Sequence, residues 1–144
     1  MSQAVDANLL LYASDTASRF HSRAREALEG YAKGPELLYL FWPVVMAYLR
    51  ISTHSAVLEQ PLSAKQAMAN IDALIGLSHV RSPGEEEGFW ESYRAVAGGS
   101  VVRGNLVSDV HLVALMRQHG VGTICTHDRD FRRFDGIGVV DPLV

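Results

Sequence analysis

Two aspartates one residue apart, Asp128 and Asp130, lie in the run Cys125-Thr126-His127-Asp128-Arg129-Asp130-Phe131, directly after the β-branched stretch Val121-Gly122-Thr123-Ile124. That stretch predicts a short buried strand, and open α/β sheets collect their ligand sites just past such strand ends. Carboxylates held close together repel one another unless a cation, a proton or a basic neighbour compensates them. Two further acids occupy similar settings. Asp6 follows Gln3-Ala4-Val5, and Asp109 lies near the start of a predicted helix that feeds the Val121 strand. Taken singly, each has an ordinary explanation: Asp6, Asp128 and Asp130 as caps or turn residues, and Asp109 as a partner of the helix dipole. Taken together, three carboxylates from distant parts of the chain can meet on one sheet edge. Hard divalent cations such as Mg²⁺ or Mn²⁺ want oxygen ligands and keep several waters, so two or three carboxylates suffice to hold one. The chemistry that follows is metal-assisted hydrolysis of a phosphodiester.

The elements that must position these acids follow from hydrophobic periodicity. Gln3-Ala4-Val5 predicts a central strand that delivers Asp6, followed by a helical turn over Leu9-Leu10-Leu11-Tyr12. Phe20, Ala24, Ala27, Leu28 and Tyr31 share one face of a helix over 18–32, which Gly34-Pro35 stops. Leu37 to Phe41 reads as a second buried strand, and Trp42-Pro43 opens a helix because proline suits the first helical position. Ser63 begins another helix with capping-box spacing, ended by Gly76. His79-Val80-Arg81 reads as a short strand, and Glu85, Glu86 and Glu87 as the opening turn of the next helix, which Gly98-Gly99 ends. A helix over 106–119 places Asp109 in its first turn, and Ile137 to Val140 makes a last strand. Strands alternating with helices predict a parallel sheet covered on both faces.

Composition sets the frame for this chemistry. A chain of 144 residues, 48% hydrophobic, fits a single domain over 1–144 with one core. The formal net charge of −3 marks no strongly basic nucleic-acid binder, so contact with nucleic acid needs a local basic patch. The single cysteine, Cys125, leaves no internal disulfide and no Cys-rich zinc site, and it reads as a small buried hydrophobe in a reducing compartment. The first fifteen residues lack the pattern of a signal peptide, and the apolar run Leu37–Leu49 is short and broken by Pro43. The expectation is a soluble, cytoplasmic protein with no membrane partner.

Four blocks in order carry a resemblance. Val5-Asp6-Ala7-Asn8-Leu9-Leu10, Trp42-Pro43-Val44 with Tyr48-Leu49-Arg50, Gly104-Asn105-Leu106-Val107-Ser108-Asp109-Val110-His111-Leu112, and Thr126-His127-Asp128-Arg129-Asp130-Phe131 together resemble a VapC-type PIN-domain toxin of the mycobacterial-type branch. The likeness covers nearly the whole chain. It implies an α/β fold, a single three-layer α/β/α PIN-like domain around a mostly parallel sheet of four to five strands. It further implies a Mg²⁺- or Mn²⁺-dependent endoribonuclease, a cognate VapB-like antitoxin, and a homodimer. Carried over by position, Asp6, Asp109 and Asp128 match the acidic metal-site residues, Asn8 and Thr126 match supporting polar positions, and Asp130 is a candidate fourth acid.

One departure matters. Where the family's helix after the second strand carries a glutamate, this chain has Ala47, whose methyl cannot ligate a metal, accept a proton or position a water. Two explanations compete: a substitution introduced so that a toxic nuclease can be expressed, or a natural loss that weakens or repurposes the protein. The intact remainder of the block, Arg50 included, favours the first.

RNA needs cations beside an acidic patch. Arg103, Arg129, Arg132 and Arg133 flank the acids and could hold phosphates, or lie in ordinary salt bridges. In the family an antitoxin arginine commonly enters the acidic site. The six histidines have no metal-ligand spacing, with His127 and His111 reading as packing or surface, and Trp42, Tyr48 and Phe89 as core. No P-loop, G-x-G-x-x-G or G-x-S-x-G is present. A non-catalytic PIN-like module that binds RNA or an antitoxin is the alternative to the nuclease. A receiver-like phosphoacceptor is disfavoured, because it would need a lysine after a late strand and the only lysines are Lys33 and Lys65.

Overall fold

Ser2–Val5 forms the central strand, β1, and its last two residues, Ala4 and Val5, have no exposed surface. A strand so enclosed needs a neighbour on each edge. On one side lies β2 (Leu37–Tyr39), with Gln3 opposite Leu38, and on the other β4 (Thr123–Cys125), with Val5 opposite Cys125. The edge strands are β3 (Val80–Arg81), paired with β2, and β5 (Gly138–Val140), paired with β4. The computed structural model, which describes residues 2–144, thus has one sheet of order β3-β2-β1-β4-β5 with every pairing parallel. The chain winds outward from β1 through β2 to β3, then returns to the other side of β1 as β4 and β5. Right-handed crossovers in opposite directions place helices on both faces. The reversal lies between β1 and β4, and this is the crevice where doubly wound sheets bind ligands.

Helices α1 (Ala7–Ser14) and α2 (His21–Lys33) join β1 to β2, and α3 (Trp42–Ser52) and α4 (Ala64–Ile75) join β2 to β3. The return to β4 runs through α5 (Phe89–Ala97) and α6 (Asn105–Gln118). Ser63 caps α4 as its sequence predicts, its hydroxyl accepting the Gln66 N–H at 3.1 Å. Helix α6 buries Val110 and the unbroken run Leu112 to Met116, so that run is enclosed on every side, whereas the first turn of the helix is largely exposed. Helix α5 buries no residue fully and rests on α6. Leu9, Val5, Ile124 and Phe131, each at most 1% exposed, belong to one core; truncating Leu9 to alanine would cost roughly 2–5 kcal/mol. No helix among the described residues is long and apolar enough to cross a membrane.

Several boundaries differ from the sequence reading. Helix α2 begins at His21, because residues 15–20 form turns held by the Asp15 and Ser18 side chains. Strand β2 ends at Tyr39, because it has only the two-residue β3 to pair with on its outer side. Glu85, Glu86 and Glu87 lie in the loop ahead of α5, whose N-terminal neighbour is Gly88 in the left-handed region (φ +83°). Trp42 is 40% exposed rather than core, whereas Tyr48 is buried and Phe89 half-buried.

Candidate active site

Asp6 and Thr126 occupy equivalent places on the two strands that flank the crevice. The Asp6 N–H donates to the Cys125 carbonyl at 3.0 Å, and the Thr126 N–H donates to the Val140 carbonyl at 2.9 Å, so each extends its ladder by one step. Asp6 then caps α1, Oδ1 accepting the Ala7 N–H at 2.7 Å. The cap reading of Asp6 is therefore correct, but it uses one oxygen only. Oδ2 accepts the Thr126 hydroxyl at 2.8 Å.

Thr126 is a fully buried polar side chain, and its hydroxyl uses its whole capacity of one donor and two acceptor sites. Besides donating to Asp6, it accepts the Asn8 Nδ2 at 3.0 Å and the Asp128 N–H at 3.0 Å. The Asn8 amide is thereby oriented, with its Oδ1 towards the His127 N–H at 3.5 Å. Asn8 and Thr126 are thus joined to each other, and Thr126 to Asp6 and to the Asp128 backbone. Spacing alone did not indicate that Thr126 would be the hub, since its partners come from positions 6, 8 and 128.

Asp128 lies three residues past β4 and caps the 3-10 turn Arg129–Arg133, Oδ1 accepting the Asp130 N–H at 2.9 Å. Asp130 is exposed on that turn. Asp109 corrects the sequence reading. With α6 starting at Asn105, Asp109 falls beyond the first turn, where the helix dipole no longer accounts for an acid. Gly104, at φ +61°, makes the sharp entry that sets this register.

The acids from β1, α6 and the post-β4 loop affect one another's charge. Burial pushes the Asp109 carboxyl up to about 6, and the charges of Asp128, Asp6 and Asp130 add to it, against a smaller downward pull from Arg133. Burial also raises Asp6; the Thr126 and Ala7 hydrogen bonds draw it back, and Asp128 pushes it up again. As they stand, no three His, Cys, Asp or Glu side chains among the described residues are drawn up tightly enough to hold one ion. The donor chemistry nevertheless fits a hard divalent cation: oxygen ligands only, mutually repelling, with no ion pair to Asp6, Asp109, Asp128 or Asp130 among the described residues.

Ala47 lies on the half-buried flank of α3, packed against the core. Helix α3 touches both α1, which Asp6 caps, and α6, which carries Asp109. Arg103, Arg129, Arg132 and Arg133 are all exposed, and none forms an ion pair among the described residues. His127, beside Asp128 in sequence, turns to Asp141, with Nδ1 and Oδ2 2.8 Å apart. No sequence signal links positions so placed. His111 pairs with Glu85 at 2.6 Å, a surface role.

A five-stranded parallel sheet of this order flanked by six helices matches the PIN-domain class of α/β proteins. No family model matches the chain. The chain is 49% identical over 143 residues to ribonuclease VapC48 of Mycobacterium tuberculosis, covering 99% of both. Among solved structures, Mycobacterium tuberculosis VapC20, described as a Sarcin-Ricin loop cleaving toxin, superposes with TM-score 0.68 at 16% identity, covering 94% of this chain and 98% of that one. A toxin–antitoxin complex from Klebsiella pneumoniae superposes with TM-score 0.61 at 18% identity, covering 97% of each chain. At such identities the superpositions speak for the fold. The sequence match goes further: this chain belongs to the VapC ribonuclease family.

Proposed function

We propose that this protein is the toxin of a toxin–antitoxin pair and acts as a divalent-metal-dependent endoribonuclease, with Asp6, Asp109 and Asp128 as the metal-holding acids. The observation that carries this reading is the mutual effect of acids from β1, α6 and the loop after β4 at the crevice of a VapC-family fold. A Mg²⁺ or Mn²⁺ ion held there would lower the pKa of a water and offset the charge of a phosphodiester. The chain's own residues do the rest. Thr126 fixes the Asp6 carboxylate and the Asp128 backbone, Asn8 stiffens the hub, and Asp130 stands at the exposed rim as a fourth acid. Arg103, Arg129, Arg132 and Arg133 offer phosphates the cations that the acids cannot.

The same uncompensated acids suit a cation from an antitoxin of the VapB type, so substrate and inhibitor would compete for one patch. Away from the acids, a groove of about 490 Å³ between α1, α2, α3 and α4 offers an apolar wall, including Leu10, Leu28, Leu62 and Leu74, to a bound segment. A homodimer has exposed apolar side chains available in Trp42 and Met46 on α3 and Trp90 on α5.

The missing carboxyl at Ala47 favours a second reading, a PIN-like module that binds RNA or an antitoxin without cutting. Titrating Mn²⁺ against single-stranded RNA cleavage, for this chain and for Ala47→Glu, decides between them. The nuclease reading expects metal-dependent cleavage that Ala47→Glu strengthens by roughly tenfold or more, each tenfold being about 1.4 kcal/mol of barrier. Metal-independent binding with no cleavage by either protein would leave the binding module.

A further inference from the structure

An aromatic cluster adjoins the loop that carries Asp128, and two of its members, Tyr12 and Phe20, lie outside the family blocks. His127 leaves the hub between Thr126 and Asp128 and turns its ring onto Phe20, with centroids 4.7 Å apart, and edge-on to Tyr12 at 6.2 Å. Tyr12 closes the triangle on Phe20 at 5.1 Å. The His127 ring is fixed from behind by Asp141, which is itself tied down by the Leu143 N–H at 2.9 Å. Arg19 lies over the Phe20 ring, its guanidinium carbon 4.7 Å from the centroid.

Arg19 differs from the arginines that follow it on α2. Arg23 donates to the Leu143 carbonyl at 2.9 Å, and Arg25 pairs with Glu29 at 3.5 Å, so both are used within the chain. Arg19 is exposed and pairs with no acid among the described residues; its described contact is the Phe20 face. Stacking holds a guanidinium in one orientation without consuming its N–H donors, which stay available for a bidentate acceptor. A preset cation joined through Phe20 to His127, the sequence neighbour of Asp128, suits the phosphate of a strand that runs up to the acids.

We propose that Arg19, held by the Phe20–His127–Tyr12 cluster, is a substrate-binding residue that grips an RNA backbone phosphate flanking the scissile bond. This rests on the ribonuclease reading for its place in a reaction, but not for the contact itself. Arg19 lies on the α1–α2 connection, whereas the arginines singled out from the sequence precede α6 or lie on the 3-10 turn. A strand held by both groups is gripped at two separate stretches of chain around the acids.

The test is fluorescence anisotropy of a labelled single-stranded RNA oligomer in EDTA across a salt series, with steady-state cleavage in Mn²⁺ alongside. The proteins compared are the parent chain, Arg19→Ala, Arg19→Lys and Phe20→Leu. Arg19→Ala is expected to weaken RNA binding about 5–10-fold and to flatten the slope of log affinity against log salt by about 0.7, the share of one phosphate on a single strand. Arg19→Lys should keep the salt slope while losing part of the affinity. Phe20→Leu should weaken binding by less than Arg19→Ala, because the charge remains but is no longer held in place. In cleavage, KM should rise and kcat stay level. Melting temperatures of all four separate a binding loss from unfolding. Unchanged affinity and slope in a folded Arg19→Ala protein would overturn the inference, leaving the cluster purely structural. Arg19-dependent binding by a chain that never cuts RNA would keep the inference and remove the nuclease reading; cleavage indifferent to Arg19 would do the reverse.

Discussion

Two sets of acids in this protein behave in opposite ways. Asp141 and Glu85 are each matched to a histidine, His127 at 2.8 Å and His111 at 2.6 Å, and each ties a loop to the body of the fold. His111 holds the Glu85 carboxyl below the usual carboxylate range. Asp6, Asp109, Asp128 and Asp130 have no ion pair among the described residues, and Asp6 and Asp109 are pushed upward by burial and by their neighbours. The matched acids stabilise the chain, whereas the unmatched ones cost it stability. A fold retains such a cost where a ligand or substrate is to supply the missing charge.

The sharpest way to break this contrast is to neutralise one acid from each group. Asp109→Asn and Asp128→Asn should each lower metal-dependent RNA cleavage by roughly 10²–10³-fold, as expected when several kcal/mol of charge stabilisation is lost. Asp141→Asn should leave kcat within a few fold. An Asp109→Asn protein that cleaves RNA at the parent rate would remove Asp109 from the site.

Next in size is Thr126→Val. It leaves the isostere in place but strips one donor and two acceptor sites from a buried position, so Asp6, Asn8 and the Asp128 N–H lose a shared partner. A loss of about 1–3 kcal/mol in urea unfolding is expected, with cleavage falling as well. A variant as stable as the parent would show that water replaces the hub.

The pH dependence of metal-free stability follows from Asp109. Its folded pKa, about 6, lies above the unfolded value, so the proton binds the folded state more tightly. The stabilisation is complete below about pH 4 and is lost as pH rises through about 6. Because the side chain is only half-buried, solvent screening cuts the effect to roughly 1 kcal/mol. Asp109→Asn should flatten this part of the profile and melt higher than the parent at pH 7 in EDTA; adding Mn²⁺ should raise the parent's melting temperature more at pH 7 than at pH 5. A parent profile flat between pH 4 and 7 would mean that neither burial nor the neighbouring acids raise Asp109.

The smallest effect belongs to the paired surface acid. Glu85→Gln should cost no more than about 1 kcal/mol, since Glu85 and His111 are both well solvated. A larger loss would make the loop before α5 a structural strap rather than a surface detail.

Much of the fold was legible in the sequence because it rests on local rules. Alternating apolar runs announced a parallel sheet, Pro43 marked the start of α3, Ser63 capped α4, and Val5 lay on a central strand. The helix ends misread were those set by neighbours. Asp15 and Ser18 turns delay α2, and Gly104 starts α6 early enough to carry Asp109 past its first turn. Residue types and their order also singled out Asp6, Asp109 and Asp128 as candidates, because carboxylates near strand ends are a pattern in one dimension, whereas Asn8 and Thr126 entered only through the family resemblance. Chain order could not say which acids share a field, which hydroxyl binds them, or that His127 would turn to Asp141 and set a wall for Arg19 on Phe20. The link between Asp6 and Thr126 joins residues far apart in the chain, and the packing of β1 against β4 brings them within reach of one another.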